Sequence, residues 1–304
     1  MSDKLVSVII PTYKRSDCLP NAIKSVLNQT YKDIEIIVVD DNDPESEYRK
    51  NTEKVMEGFS QYSNVIYIKH DINRNGSVAR NTGFKNSHGD YIMYLDDDDE
   101  FLPNKVEAQV RCLENLDDSW GLCYTNFMRK FKGKVLDYSC EKREGRLFTD
   151  ALMRNLFIQP GSNLMIRRSV VEEMNGFDET FIRNQDLEFL NRILYKYKIA
   201  HVDILGLVVN LPTTQYRKCD FEEINNYYID RFKPFVELLS DEDKKKFYKM
   251  TNLHLFRYYL TYSGYRKKAI KMIKDKEISS VLAFRYILHL LNRRLRGKIY
   301  GFNI

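Results

Sequence analysis

Short apolar runs alternate with helical stripes over the first hundred residues. LVSVIIP (Leu5 to Pro11), IEIIVVD (Ile34 to Asp40), VIYIKH (Val65 to His70) and YIMYL (Tyr91 to Leu95) lack polar alternation, as strands buried on both faces do. Between the first two, Leu19, Ala22, Ile23, Val26 and Leu27 recur at helical spacing, with Asn21, Lys24, Ser25 and Asn28 opposite them. Helices near Glu45 to Gln61 and Gly76 to Ser87 separate the later strands. This rhythm predicts an α/β fold on a mostly parallel sheet with right-handed crossovers.

Past Leu95 the pattern loosens. A Pro103-started helix (Val106, Val110, Leu113) leads to a strand at GLCYTNFM, and the polar, basic stretch from Arg129 to Arg146 reads as a loop or excursion. FTDALMRNLF is expected as helix, QPGSNLMIRR as turn and strand, SVVEEMNGF and NQDLEFLNRILYKYK as helices, and IAHVDILGLVVN as strands. Beyond Cys219 everything reads as helix. The expected division is therefore 1–219 and a helical, basic region 220–304.

Composition narrows the class. Hydrophobic content of 43% and charged content of 30% belong to an ordinary globular protein. Five cysteines with no C-x-x-C spacing suggest reduced thiols and no zinc site. No run approaches the ~20 apolar residues of a bilayer span, and MSDKLVSVIIP leads straight into strand, so a cytoplasmic location is expected. No nucleic-acid partner is expected. The net charge of +5 conceals an asymmetry: residues 241–300 hold sixteen Lys/Arg against five Asp/Glu.

The chemistry concentrates in YIMYLDDDDEFLP. Four aspartates, Asp96 to Asp99, follow a buried strand, at the end where α/β sheets open a crevice. Adjacent like charges repel, so the run is either solvated or implies a cation. Oxygen-only ligation favours a hard one such as Mg²⁺ or Mn²⁺.

SVIIPTYKR, VVDDND, SVARNTGF before LDDDDEFLP, and NQDLEFLNRI together resemble a family 2 glycosyltransferase of the GT-A fold. The segments occur in that family's order over about residues 5 to 215. The resemblance implies inverting transfer of a sugar from a nucleotide-diphosphate donor to a saccharide acceptor, expected to be lipid-linked, in capsule, O-antigen or related bacterial surface-polysaccharide synthesis. Asp96 and Asp98 match its Asp-x-Asp pattern. Asp98 is then the principal metal ligand, for Mn²⁺ or Mg²⁺, with Asp96 on the metal or the donor ribose. Asp97 is counted with the donor-contacting residues, loop-holding backbone bonds being the alternative for it and for Asp99.

Pro11, Thr12 and Tyr13 match the family's nucleotide-contacting turn, and Arg15 is grouped with them. Asp41 matches the acid that accepts from the base's ring N–H, which favours a UDP-sugar over GDP or dTDP sugars. Asp40 is the equal alternative, and helix capping is the structural reading for either. Arg80 is placed to meet base or phosphate, or is a surface arginine. Asp186 stands at the family's catalytic base, with Gln185 where a Glu usually precedes it. Its structural alternative is an acid stabilised by the helix dipole. The family's extra metal-binding His is missing from LPTTQYRKCD, where Arg217 or Lys218 is the candidate substitute, and His201 reads as a packed core residue.

Two rivals stand beside this reading. One is a nucleotidyltransferase, weakened by the absence of glycine in IPTYKRSDCLP. The other is a sugar-nucleotide-binding protein without turnover. The tail, VLAFRYILHLLNRRLR, puts Phe284, Leu288, Leu291 and Leu295 on one side and Arg285, His289, Asn292 and Arg296 on another. That helix either packs its apolar side on the catalytic domain or docks on an anionic membrane face, which would make the protein peripheral on the inner face of the cytoplasmic membrane.

Overall fold

The computed structural model describes residues 4–212 and 221–304. Arg217 and Lys218 lie outside the described residues. Four apolar runs form the parallel half of the sheet: β1 (Val6–Thr12), β2 (Ile34–Asp40), β3 (Val65–Lys69) and β4 (Tyr91–Tyr94), in the order β4-β1-β2-β3. Every residue of β2 is buried, which is why its sequence carries no polar alternation. Helices α1 (Leu19–Leu27), α2 (Glu47–Glu57) and α3 (Gly76–Lys85) link these strands. α1 buries Leu19, Ala22, Ile23 and Val26, as its stripe predicts. α3 lies so close to β1 that a Cβ on Gly83 would stand 2.3 Å from Ile9 Cγ2.

The other half of the sheet is mixed. It comprises β5 (Glu100–Phe101), β6 (Trp120–Phe131), β7 (Lys134–Ser139), β8 (Met165–Arg167) and β9 (Lys198–Leu211). β8 joins the halves, antiparallel to both β4 and β6. β9 runs parallel to β6 and antiparallel to β5. The stretch read as a loop from Arg129 is instead the turn and return strand of a β6–β7 hairpin. Lys132 and Gly133 make its turn with φ 49° and 76°, the left-handed pair that suits the strands' twist. Arg129 clamps the hairpin by donating to both oxygens of Asp137, at 2.8 and 2.6 Å.

Helix α4 (Lys105–Glu114) begins two residues later than its proline suggests, because the Pro103 carbonyl accepts from Thr30 N at 2.9 Å in a turn of its own. The remaining helices are α5 (Phe148–Leu152), α6 (Pro160–Asn163), α7 (Arg168–Glu173), α8 (Gln185–Lys196), α9 (Phe221–Glu237), α10 (Asp241–Thr261), α11 (Arg266–Lys274) and α12 (Ser280–Arg296).

Two compact units result. The first holds the sheet and comprises 1–138, 142–146 and 158–211; the second comprises 139–141, 147–157 and 212–304. The segment 147–157 sits in the helical unit through main-chain bonds. Tyr228 OH donates to Leu152 O at 2.8 Å, and Asn155 exchanges two bonds with the Phe302 backbone at 2.8 and 2.7 Å. The aromatic core of this unit includes Tyr228, Phe232, Phe247 and Phe256. No described helix is long and apolar enough to cross a membrane.

Candidate active site

Parallel strands release the chain at their carboxyl ends, and there a cleft of about 360 Å³ opens within the sheet unit. Pro11, Thr12, Tyr13, Arg15, Asp41, Arg80, Asp96 and Asp97 line it. They come from the ends of β1, β2 and β4 and from α3. Asn73, Asn75, Gly76 and Ala79 also line it, and sequence reading singled out none of these. The string NRNG was the available signal. Asn75, at φ 82°, caps α3 by accepting from Ser77 and Val78 N–H groups through Oδ1.

The acidic run after β4 is neither solvated nor left bare. Arg15 NH1 pairs with Asp98 Oδ2 at 2.7 Å and Asp97 Oδ1 at 3.3 Å, and Arg80 NH2 pairs with Asp96 Oδ1 at 2.6 Å. Asp99 Oδ1 instead accepts from Asn210 N at 3.2 Å, which fastens the turn to β9. Two guanidinium groups of the chain thus supply part of the compensation for this charge density. Lys14 makes the first of them possible. Its left-handed backbone (φ 59°) makes the turn between β1 and Arg15, which reaches Asp97 and Asp98.

Burial still governs these carboxylates. It pushes Asp97 up to about 7 against the Thr12 hydrogen bond and Arg15, with Asp98 and Asp96 adding repulsion. Asp98 is raised by burial, which outweighs Arg15, and Asp99 is raised strongly by burial and Asp96.

Asp41 holds a loop. Its Oδ1 accepts from His70 Nδ1 at 2.7 Å and Arg74 N at 2.8 Å; its Oδ2 accepts from Asn73 Nδ2 at 2.9 Å and Asn75 N at 3.0 Å. Four donors fill what a carboxylate can accept in its plane. Asp40 is likewise engaged, by Asn42, by Tyr67 OH at 2.6 Å and by an ion pair with Arg49 at 3.0 Å.

Asp186 lies half-buried in the first turn of α8, after Asn184 in the left-handed region (φ 56°). Burial raises its pKa; Arg80 opposes the rise and Asp96 adds to it. A helix N-terminus would act the other way, so burial outweighs the dipole here. Gln185 Oε1 accepts from Arg80 NH1 at 3.3 Å, and Gln185 Nε2 returns a bond to Phe181 O at 2.9 Å. Glu188 is buried and paired with Arg192, at 2.5 and 2.8 Å. His201 is only half-buried, its ring 5.1 Å from Tyr124 and its Nε2 3.3 Å from Asn126 Oδ1, so it is a partly open strand residue, not a core one.

Behind the acidic turn sits a cation that sequence reading missed. Lys105 is fully buried, and its ammonium donates to Asn163 Oδ1 at 2.6 Å, Asn163 O at 3.0 Å and Thr125 Oγ1 at 3.1 Å. All three acceptors are neutral, and burial lowers its pKa to about 7. This network pins α6, where Ser162 Oγ accepts from Asp96 N at 3.1 Å and a Cβ on Gly161 would stand 3.0 Å from Asp96 Oδ2.

A family model described as glycosyl transferase family 2 matches residues 7–174. The chain belongs to this family. A Campylobacter jejuni family relative, named GalNAc(5)-diNAcBac-PP-undecaprenol beta-1,3-glucosyltransferase, is 31% identical over 204 residues, 65% of this chain and 62% of that protein. Matches to the curated glycosyltransferases of Rickettsia bellii, Rickettsia prowazekii and Rickettsia felis span 41%, 74% and 31% of their lengths. S. aureus TarS 1-349 in complex with UDP-GlcNAc superposes with a TM-score of 0.58 at 14% identity, over 96% of this chain and 81% of that one. The mannosyltransferase PcManGT from Pyrobaculum calidifontis, in complex with GDP-Man and Mn²⁺, does so with 0.54 at 15% identity, over 97% and 88%. The fold is that of GT-A glycosyltransferases.

Proposed function

We propose that this family 2 glycosyltransferase moves a sugar from a UDP-sugar, with inversion, to a hydroxyl of a lipid-linked saccharide. The observation that carries the reading is Arg80, which binds Asp96 on the cleft floor and Gln185 beside Asp186. One cation thereby joins the nucleotide half of the site to the candidate base. The names of the TarS complex and of the Campylobacter relative support the donor and acceptor classes.

In this mechanism Asp186 accepts the acceptor hydroxyl's proton while that oxygen bonds the anomeric carbon and the bond to the diphosphate breaks. Burial raises its pKa, which makes it a stronger base than an exposed aspartate. Pro11, Thr12 and Tyr13 line the part of the cleft where the nucleotide would lie, and Arg15 and Arg80 carry positive charge to the wall that would face its diphosphate.

The donor set fits a hard divalent ion. Asp98 and Asp96 would supply oxygen ligands, and each uses one oxygen on its arginine. Among the described residues no cluster of three His, Cys, Asp or Glu forms, so phosphates and water would complete the shell. Bound there, Mn²⁺ or Mg²⁺ would stabilise charge on the departing diphosphate. The PcManGT complex supports this assignment.

The test is nucleotide release from UDP-glucose, UDP-GlcNAc, UDP-GalNAc and GDP-mannose, each with and without undecaprenyl-diphosphate oligosaccharides. Acceptor-dependent release of UDP is the expected result. Tight UDP binding with no release on any acceptor would favour a sugar-nucleotide-binding protein without turnover.

A further inference from the structure

The last long helix turns its apolar side outward. In α12, Val281, Phe284, Leu288, Leu291 and Leu295 follow one another at spacings of three and four, so they form a single stripe. All five are exposed, from 48% at Leu288 to 87% at Leu295, while Ala283 and Tyr286 supply the buried side. A surface helix ordinarily does the reverse. Among the described residues the apolar stripe is thus left open to solvent.

Charge selects what covers the stripe. α12 holds four arginines and no acidic residue, and Arg285, Arg294 and Arg296 are exposed. A second α12 laid along the stripe would bring arginines against arginines, which disfavours self-pairing. An anionic lipid surface satisfies both parts: the apolar side chains enter the acyl boundary and the guanidinium groups meet lipid phosphates. The surplus of sixteen Lys/Arg over five Asp/Glu between 241 and 300 adds attraction of the same sign.

We infer that α12 is a docking helix that lies in the plane of an anionic phospholipid bilayer. This does not rest on the transferase reading, and its test needs no sugar substrate. Flotation of the full chain with vesicles of phosphatidylcholine alone, or mixed with phosphatidylglycerol, reads it directly. Binding is expected only to the mixed vesicles, and to fall as salt rises. Each basic residue at the surface is worth roughly fivefold in partitioning, so Arg285→Gln with Arg294→Gln should weaken binding roughly 25-fold. Phe284→Ser with Leu291→Ser should abolish it without changing the thermal melt, since both side chains are already exposed. No binding to the mixed vesicles, or equal binding to both kinds, overturns the inference. So does a dimer in light scattering that the Phe284→Ser, Leu291→Ser variant dissociates, because the stripe would then belong to a second copy.

Discussion

Arg80 meets an amide, not a carboxylate, at the start of α8: its NH1 lies 3.3 Å from Gln185 Oε1, while its NH2 lies 2.6 Å from Asp96. The positive charge of Arg80 is therefore shared between Asp96 and the field at Asp186, where it opposes the effect of burial. A second acid at position 185 would divert it.

Gln185→Glu tests that balance. An added carboxylate beside Asp186 disfavours its charged form and draws on Arg80. A base works deprotonated, so activity is lost as pH falls through its pKa, and the acid limb of kcat should move to higher pH in the variant. A pH-rate profile unchanged from wild type would show that the two positions do not communicate.

Asp186→Asn should cut turnover at least ~10²-fold, the scale of losing a general base, with UDP affinity unchanged. Calorimetry and saturating-substrate rates separate the two effects. If donor affinity falls while the saturated rate persists, Asp186 is structural and the base lies elsewhere.

Asp98→Asn should abolish the divalent-ion dependence of UDP binding. It frees Arg15, which now pairs with Asp98 at 2.7 Å, to meet phosphate directly. Calorimetry with UDP in Mn²⁺ and in EDTA is the measurement. Wild-type affinity that is equal in both buffers defeats the assignment.

Lys105 predicts a pH dependence of stability. Its folded pKa is near 7 against an ordinary 10.5, so between these values the unfolded chain binds the extra proton. Stability relative to Lys105→Met should rise with pH across that window, by up to about 1.4 kcal/mol per pH unit. Urea unfolding of both proteins at neutral and alkaline pH checks it. A constant difference would mean that the ammonium is hydrated in the fold.

Much of this was legible where burial is two-sided. β1, β2 and β4 have no polar alternation to confuse the reading, and the strand ends placed Pro11, Thr12, Asp41 and Asp96 around one cleft. Residues separated by long stretches of chain were not legible: Arg80 and Gln185 are 105 positions apart, and Lys105 and Asn163 are 58 apart. Their pairing follows from sheet order, which no local pattern encodes. The β6–β7 hairpin was missed because β7 is largely exposed and its Lys132–Gly133 turn is hidden among other basic residues. The membership of 147–157 in the helical unit rests partly on bonds to main-chain carbonyls, which leave no mark on residue type.

The four bonds that converge on Asp41 have a consequence for anyone wishing to change the donor. Position 41 is a keystone: an Asn there would surrender at least one of the donors it gathers, and the loop from His70 to Asn75 would loosen before any base preference shifted. Retuning is better begun at Tyr13, which lines the same cleft and stands 39% exposed, its ring 4.8 Å from Lys14 Nζ. A library built around that side chain would vary the fit of the ligand while leaving the masonry of the slot in place.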